Sequence, residues 1–235
     1  MAKYSASTNS FAWATSGGGT GDDQGNGIAV SGSTVYVTGQ FTSGASANIS
    51  GTSLAGAGNL DIFVAKYVDS GTTFTARGAI SEGGNAGIDK GIAIAVSGST
   101  VYVTGQMYAA AGGTVSISGT TLTDNGIADF FLARYTDPGS TTNGFTNGGA
   151  VSGGGSIADA GNAIAVNGTK VYVAGKYNSN STTPVVIAGT TLPSGSGTNG
   201  QDFFVAKYTD NGSGFTGGGP CAAAVQCRTM PTVLP

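Results

Sequence analysis

The chain has no histidine, and its only two cysteines, Cys221 and Cys227, stand six positions apart near the C-terminus. Without an imidazole, Ser-His-Asp and Cys-His nucleophile arrangements are excluded. No other Cys or His is present to complete a zinc site. Two readings of the cysteine pair stand open: a small disulfide loop in an oxidising compartment, or two unpaired tail thiols. Charge is scarce too, with Asp, Glu, Lys and Arg at 9% of 235 residues, against about 25% in ordinary globular domains. The nine Lys and Arg are scattered singly and the net charge is −3. That leaves no basic stripe for phosphates, so nucleic acid is not an expected partner. No apolar run approaches the ~20 residues of a membrane helix. The opening Met1-Ala2-Lys3-Tyr4-Ser5 also lacks the apolar centre of a signal peptide, so neither a span nor an export signal is read in this sequence.

What is present is glycine, 43 of 235 residues, together with 39% apolar residues. So much glycine calls for many turns, and so many apolar residues are too many for a disordered Gly/Ser tract. They fall in short β-branched bursts such as Val35-Tyr36-Val37 and Ile92-Ala93-Ile94. A composition rich in Thr, Ser, Asn and Gly resembles that of secreted β proteins.

The bursts recur. Ala29-Val30-Ser31-Gly32-Ser33-Thr34-Val35-Tyr36-Val37-Thr38-Gly39-Gln40 returns unchanged as Ala95 to Gln106 and, altered, as Ala165 to Lys176. Val35, Val101 and Val171 are 66 and 70 positions apart. A second block follows each: Asp61 to Tyr67, Asp129 to Tyr135 and Asp202 to Tyr208. Each unit parses into four strands separated by turn signals. Ile-Ala-Val is joined through Ser-Gly-Ser or Asn-Gly-Thr to Val-Tyr-Val, then come the Asp-x-Phe block and a strand opening at Phe74 or Phe145. An Ile-x-Gly-Thr-x-Leu segment between the second and third strands, at Ile49, Ile117 and Ile187, predicts an added hairpin on the rim. On the third strand Phe63, Ala65 and Tyr67 share one face and Ile62, Val64 and Lys66 the other. Both faces are largely apolar, as blades stacked face to face around an axis require.

The strings Asp23-x-Gly25-x-Gly27-Ile28-Ala29-Val30, Val35-Tyr36-Val37-Thr38-Gly39 and Asp61-x-Phe63-Val64-Ala65-Lys66-Tyr67 resemble the bacterial seven-bladed β-propeller repeat family (SBBP repeats), over residues 11 to 217. The resemblance implies an extracellular or cell-surface protein and carries no catalytic residues.

The expected class is all-β, with β-propeller-type blades in three tandem four-stranded repeats and partial blade strands at the N-terminus. The divisions are 1–20 for strands of a preceding partial blade, 21–83, 84–154 and 155–219 for blades one to three, and 220–235 for a divergent tail. An open array exposes strand edges, with Phe11, Trp13 and Phe215 as the assembly edge. Such an array is expected to self-associate or to stack on the remaining blades of a longer chain.

Asp23, Asp89 and Asp159 each stand five positions before the first-strand Ile. They are candidates for a metal-binding ring. One carboxylate per blade falls short of the 6–8 oxygens Ca²⁺ takes, so acceptance of backbone N–H bonds is the expected role. Gly18 to Asp23 fits only the start of a calcium nonapeptide and occurs once. Asp22 with Asp23, or Glu82 with Asp89, would have to be brought together to act as a glycosidase pair. No enzyme activity, cofactor or metal is expected. The expected function is a structural, adhesion or assembly module. The alternative is a carbohydrate- or ligand-binding propeller using axial loops, with a surface polysaccharide as partner.

Overall fold

The computed structural model describes residues 1–42, 46–84, 87–109, 112–139, 144–179, 184–193 and 200–220; Cys221 and Cys227 lie outside the described residues. β1 (Ala2–Ser5) and β2 (Ser10–Ala14) pair as a two-stranded ribbon. β3 (Gln24–Ser31), β4 (Thr34–Thr42), a small hairpin of β5 (Ala47–Ile49) and β6 (Thr52–Leu54), then β7 (Leu60–Asp69) and β8 (Phe74–Glu82) make the first unit. β9 (Lys90–Ser97), β10 (Thr100–Met107), β11 (Thr114–Ile117), β12 (Thr120–Thr123), β13 (Asp129–Thr136) and β14 (Thr146–Gly153) repeat it. So do β15 (Ala160–Asn167), β16 (Lys170–Ser179), β17 (Val185–Ile187), β18 (Thr190–Leu192), β19 (Gly200–Asp210) and β20 (Phe215–Pro220). Each unit is one antiparallel sheet of four strands in simple order, β3-β4-β7-β8, β9-β10-β13-β14 and β15-β16-β19-β20. The chain is all-β, a row of propeller-like blades that does not close on itself.

Turn chemistry sets the register. Gly32, Gly98 and Gly168 open the first hairpin of each blade at φ 58°, 61° and 59°, and their successors do not have positive φ. That is the type II′ pattern, which wants Gly first. The small hairpins use the other solution, with positive φ at both central residues: Ser50-Gly51, Ser118-Gly119 and Ala188-Gly189. Type I′ matches the strand twist at the cost of holding a non-glycine residue in the left-handed region.

The small hairpins do not stand free on the rim. Val115, Ile117 and Leu122 of β11–β12 are buried with Tyr36, Ile62 and Val64 of blade 1 and Val101, Val103 and Phe131 of blade 2. Val185, Ile187 and Leu192 fill the corresponding place between blades 2 and 3. Each hairpin is therefore a wedge in the seam, tied to the preceding blade by bridges such as Gly83 to Ser116 and Gly154 to Val186. Two of the three cores lie between blades; the third is built from blade 1 and its own hairpin, with Met1 packed against it.

First strands run side by side, with Asn26 Nδ2 donating to Gly91 O at 2.9 Å. The approach is close: a Cβ on Gly91 would lie 2.1 Å from Thr38 Oγ1, and one on Gly161 2.1 Å from Thr104 Oγ1.

Candidate functional site

The seams carry the chain's polar chemistry. Tyr36 of β4 donates to Asp137 Oδ2 at 2.7 Å, and Lys66 of β7 meets Asp137 Oδ1 at 2.6 Å. One blade on, Tyr102 donates to Asp210 Oδ2 at 2.7 Å and Arg134 Nε meets the same oxygen at 2.9 Å. In each case a hydroxyl and a cation of one blade close on the aspartate at the end of the third strand of the next. Burial works to raise the Asp137 carboxyl, but bonds from Lys66, Tyr36 and the Gly139 N–H outweigh it and hold it below its ordinary value. The same contest, with Tyr102, Gly212 and Arg134 as donors, lowers Asp210. Tyr36 and Tyr102 move the opposite way, far up, through burial first and the aspartate second. Phe145 packs between Tyr36 and Tyr135, and Phe215 between Tyr102 and Tyr208.

The same latch recurs once more, in altered form. Lys3 of the ribbon reaches Asp69 Oδ2 at 2.7 Å, and Trp13 stacks on Phe74 with ring centroids 3.6 Å apart. Lys3 thus stands for Lys66 and Trp13 for Tyr36. Asp69 is lowered chiefly by Lys3, next by the Gly71 N–H. Trp13 Nε1 is buried near it without a closed hydrogen bond. Between ribbon and blade 1 remains a cleft of about 440 Å³ whose floor includes Val37, Phe63 and Tyr67. Beside it an open depression of about 530 Å³ is lined by Gly17, Gly18, Gly19 and Asp23.

Asp23, Asp89 and Asp159 each clamp two backbone donors. Asp23 accepts from Gly19 N and Thr42 N, Asp89 from Gly84 N and Tyr108 N, and Asp159 from Gly155 N and Asn178 N, at 2.7 to 3.1 Å. Each joins the segment entering its blade to the end of that blade's second strand. Among the described residues no three His, Cys, Asp or Glu side chains gather as metal ligands would. Burial raises Asp89 and Asp159 to about 7; neighbouring carboxylates add to it, Asp61 and Asp124 for the first, Asp129 and Asp124 for the second. Asp129 is raised to about 6, mainly by burial.

Glu82 is raised to about 7 by burial, and its polar neighbours are Ser118 and Tyr135; Asp89 faces Gly84, Tyr108 and Asp61. Phe11 is exposed and meets Tyr4 edge-on at 5.6 Å, whereas Trp13 and Phe215 are taken into seams. Asp69, Asp137 and Asp210, with their lysine, arginine and tyrosine donors, were not singled out by sequence reasoning. The signal was there in a cation, Tyr, any residue, then Asp, at Lys66 to Asp69, Arg134 to Asp137 and Lys207 to Asp210.

Compared with known proteins, the chain matches no family model and no curated protein.

Proposed function

We propose that the chain is a non-catalytic extracellular repeat module that builds structure or adhesion through blade stacking. The observation that carries this reading is the latch itself. The chemistry recurs at every seam as a device for joining one blade to the next, and the carboxylates with raised pKa are engaged in holding backbone. The resemblance to the bacterial repeat family and the Thr/Ser/Asn/Gly-rich composition support the extracellular assignment. Light scattering over a concentration series tests it. A mass above the 22.8 kDa protomer, rising with concentration, is the expected result; a protomer mass throughout counts against assembly.

A second reading is favoured by the cleft of about 440 Å³ with Phe63 and Tyr67 on its floor, a shape and lining suited to a sugar ring. Calorimetric titration with soluble oligosaccharides distinguishes the two, since only a ligand-binding propeller gives saturable heat.

A further inference from the structure

Blade 3 presents to solvent the face that blades 1 and 2 use for joining. Ile62 of blade 1 and Phe130 of blade 2 are fully buried in their seams, while Phe203, at the equivalent position, is 67% exposed. Tyr172 and Lys207 occupy the places of Tyr36 and Lys66. Among the described residues neither the Tyr172 hydroxyl nor the Lys207 ammonium finds a partner. At the other end of the row the complementary face is incomplete. Ile28 and Val30 are each 59% exposed, whereas Ile94, equivalent to Ile28, is 7% exposed in its seam. Asp137 and Asp210 each hold one cation and one tyrosine hydroxyl. Asp69 holds a cation, Lys3, and no tyrosine.

We infer that the blade 3 face binds the blade 1 face of a second copy of this chain, with Tyr172 and Lys207 closing on Asp69, and that the β1–β2 ribbon is a displaceable cap over that site. This rests on the assembly reading and names its contact. The unpaired donors on one face match the half-filled acceptor on the other, and the apolar residues exposed on both are those that bury each other at the two internal seams. The ribbon is an imperfect substitute. It leaves the Trp13 indole N–H with only a poorly formed approach to Asp69, the cleft beneath it unfilled and Ile28 exposed, all of which a complete blade would improve on. A second copy cannot use the ribbon instead as its acceptor. The position equivalent to Asp69 is Ala6 there, which offers the cation nothing. Two copies joined at both faces give six blades, inside the usual 4–8 of closed propellers.

The test is charge reversal in the full chain. Lys207→Glu and Asp69→Lys are each expected to stay monomeric, because each sets like charges against one another at the contact. An equimolar mixture restores one wild-type and one reversed pair, and is expected to associate about tenfold or more tightly than either variant alone, a difference of ~1.4 kcal/mol or more. Lys3→Ala/Trp13→Ala loosens the cap and is expected to strengthen association relative to wild type, with far-UV circular dichroism confirming the fold. Failure of the mixture to associate overturns the contact. Wild-type self-association that ignores both charge reversals also overturns it, but leaves assembly by another surface standing.

Discussion

Asp129 and Asp159 converge from neighbouring blades on Gly154: a Cβ there would lie 2.2 Å from Asp129 Oδ1 and 2.7 Å from Asp159 Oδ2. Asp129 Oδ1 is buried without a hydrogen-bond partner, while Oδ2 accepts from Asn125 N and Nδ2. Burial comes first in favouring a proton on each, with Asp129 and Asp124 adding to it at Asp159 and Asp124 at Asp129. Asp61 and Asp89 converge in the same way on Gly83.

The pH dependence follows. The folded pKa values of Asp89 and Asp159, about 7, and Asp129, about 6, exceed the ordinary 3.8. The folded state therefore binds protons more tightly than the unfolded one. The stability these groups contribute is fully present below pH 3.8 and is lost as pH rises through 6 to 7. Asp137 and Asp210, held low, act in the opposite sense, and their contribution is lost as acid protonates them below 3.8. Thermal melts should show greatest stability near the ordinary carboxylate pKa and a decline toward pH 8. Asp129→Asn keeps an acceptor for Asn125 and removes one of the two carboxylate charges that oppose ionisation of Asp159. It should raise stability at pH 8 by on the order of 1–2 kcal/mol and flatten the decline. A variant less stable than wild type at pH 8 would count against this charge coupling.

The latch should show strong coupling. Lys66 and Asp137 are almost wholly buried, with side chains 3% and 6% exposed. Lys66→Met strands the carboxylate beside apolar residues and should cost about 3–5 kcal/mol in urea unfolding, since removal of one partner leaves a buried charge. Lys66→Met/Asp137→Asn should recover much of that loss. Additive costs in the double variant would mean that the pair does not act as a unit.

Ser118 gives a local test. In its strained turn it donates to Arg134 O at 2.5 Å and accepts from Gly148 N at 3.0 Å, and Ser50 does the same for blade 1 with Lys66 O and Gly78 N. Ser118→Ala leaves two buried backbone groups short of a partner and should cost about 1–3 kcal/mol. Blade 3 carries the natural experiment, because Ala188 stands at this position. Ala188→Ser should stabilise by about 0.5–1.5 kcal/mol in the same denaturation assay.

Strands and blades were legible because their signals are local. Val35-Tyr36-Val37, the Gly32 turn and the Asp61-x-Phe63 block each declare a strand or turn within ten residues, and the period repeats the statement three times. The opposite faces of β7 were legible for the same reason: alternation places Phe63, Ala65 and Tyr67 in one core and Ile62 and Val64 in another. The latch was not, because Tyr36 and Asp137 are 101 residues apart and meet only once two sheets are stacked. Asp69, Asp137 and Asp210 also perform a visible local task, each accepting from the glycine two residues on. That accounted for their spacing and hid the second one. The hairpins' wedge role was concealed likewise, since Ile117-Ser118-Gly119-Thr120 specifies a turn but not what it plugs.

Because the cores of both internal seams sit at joints between neighbours, lengthening the row never removes its two end faces. Each added repeat creates one new joint and passes the exposed face along unchanged, so stability per residue grows while the adhesive surface stays constant. Only meeting end to end abolishes both at once, which makes closure, and not length, the event that would render such an array inert.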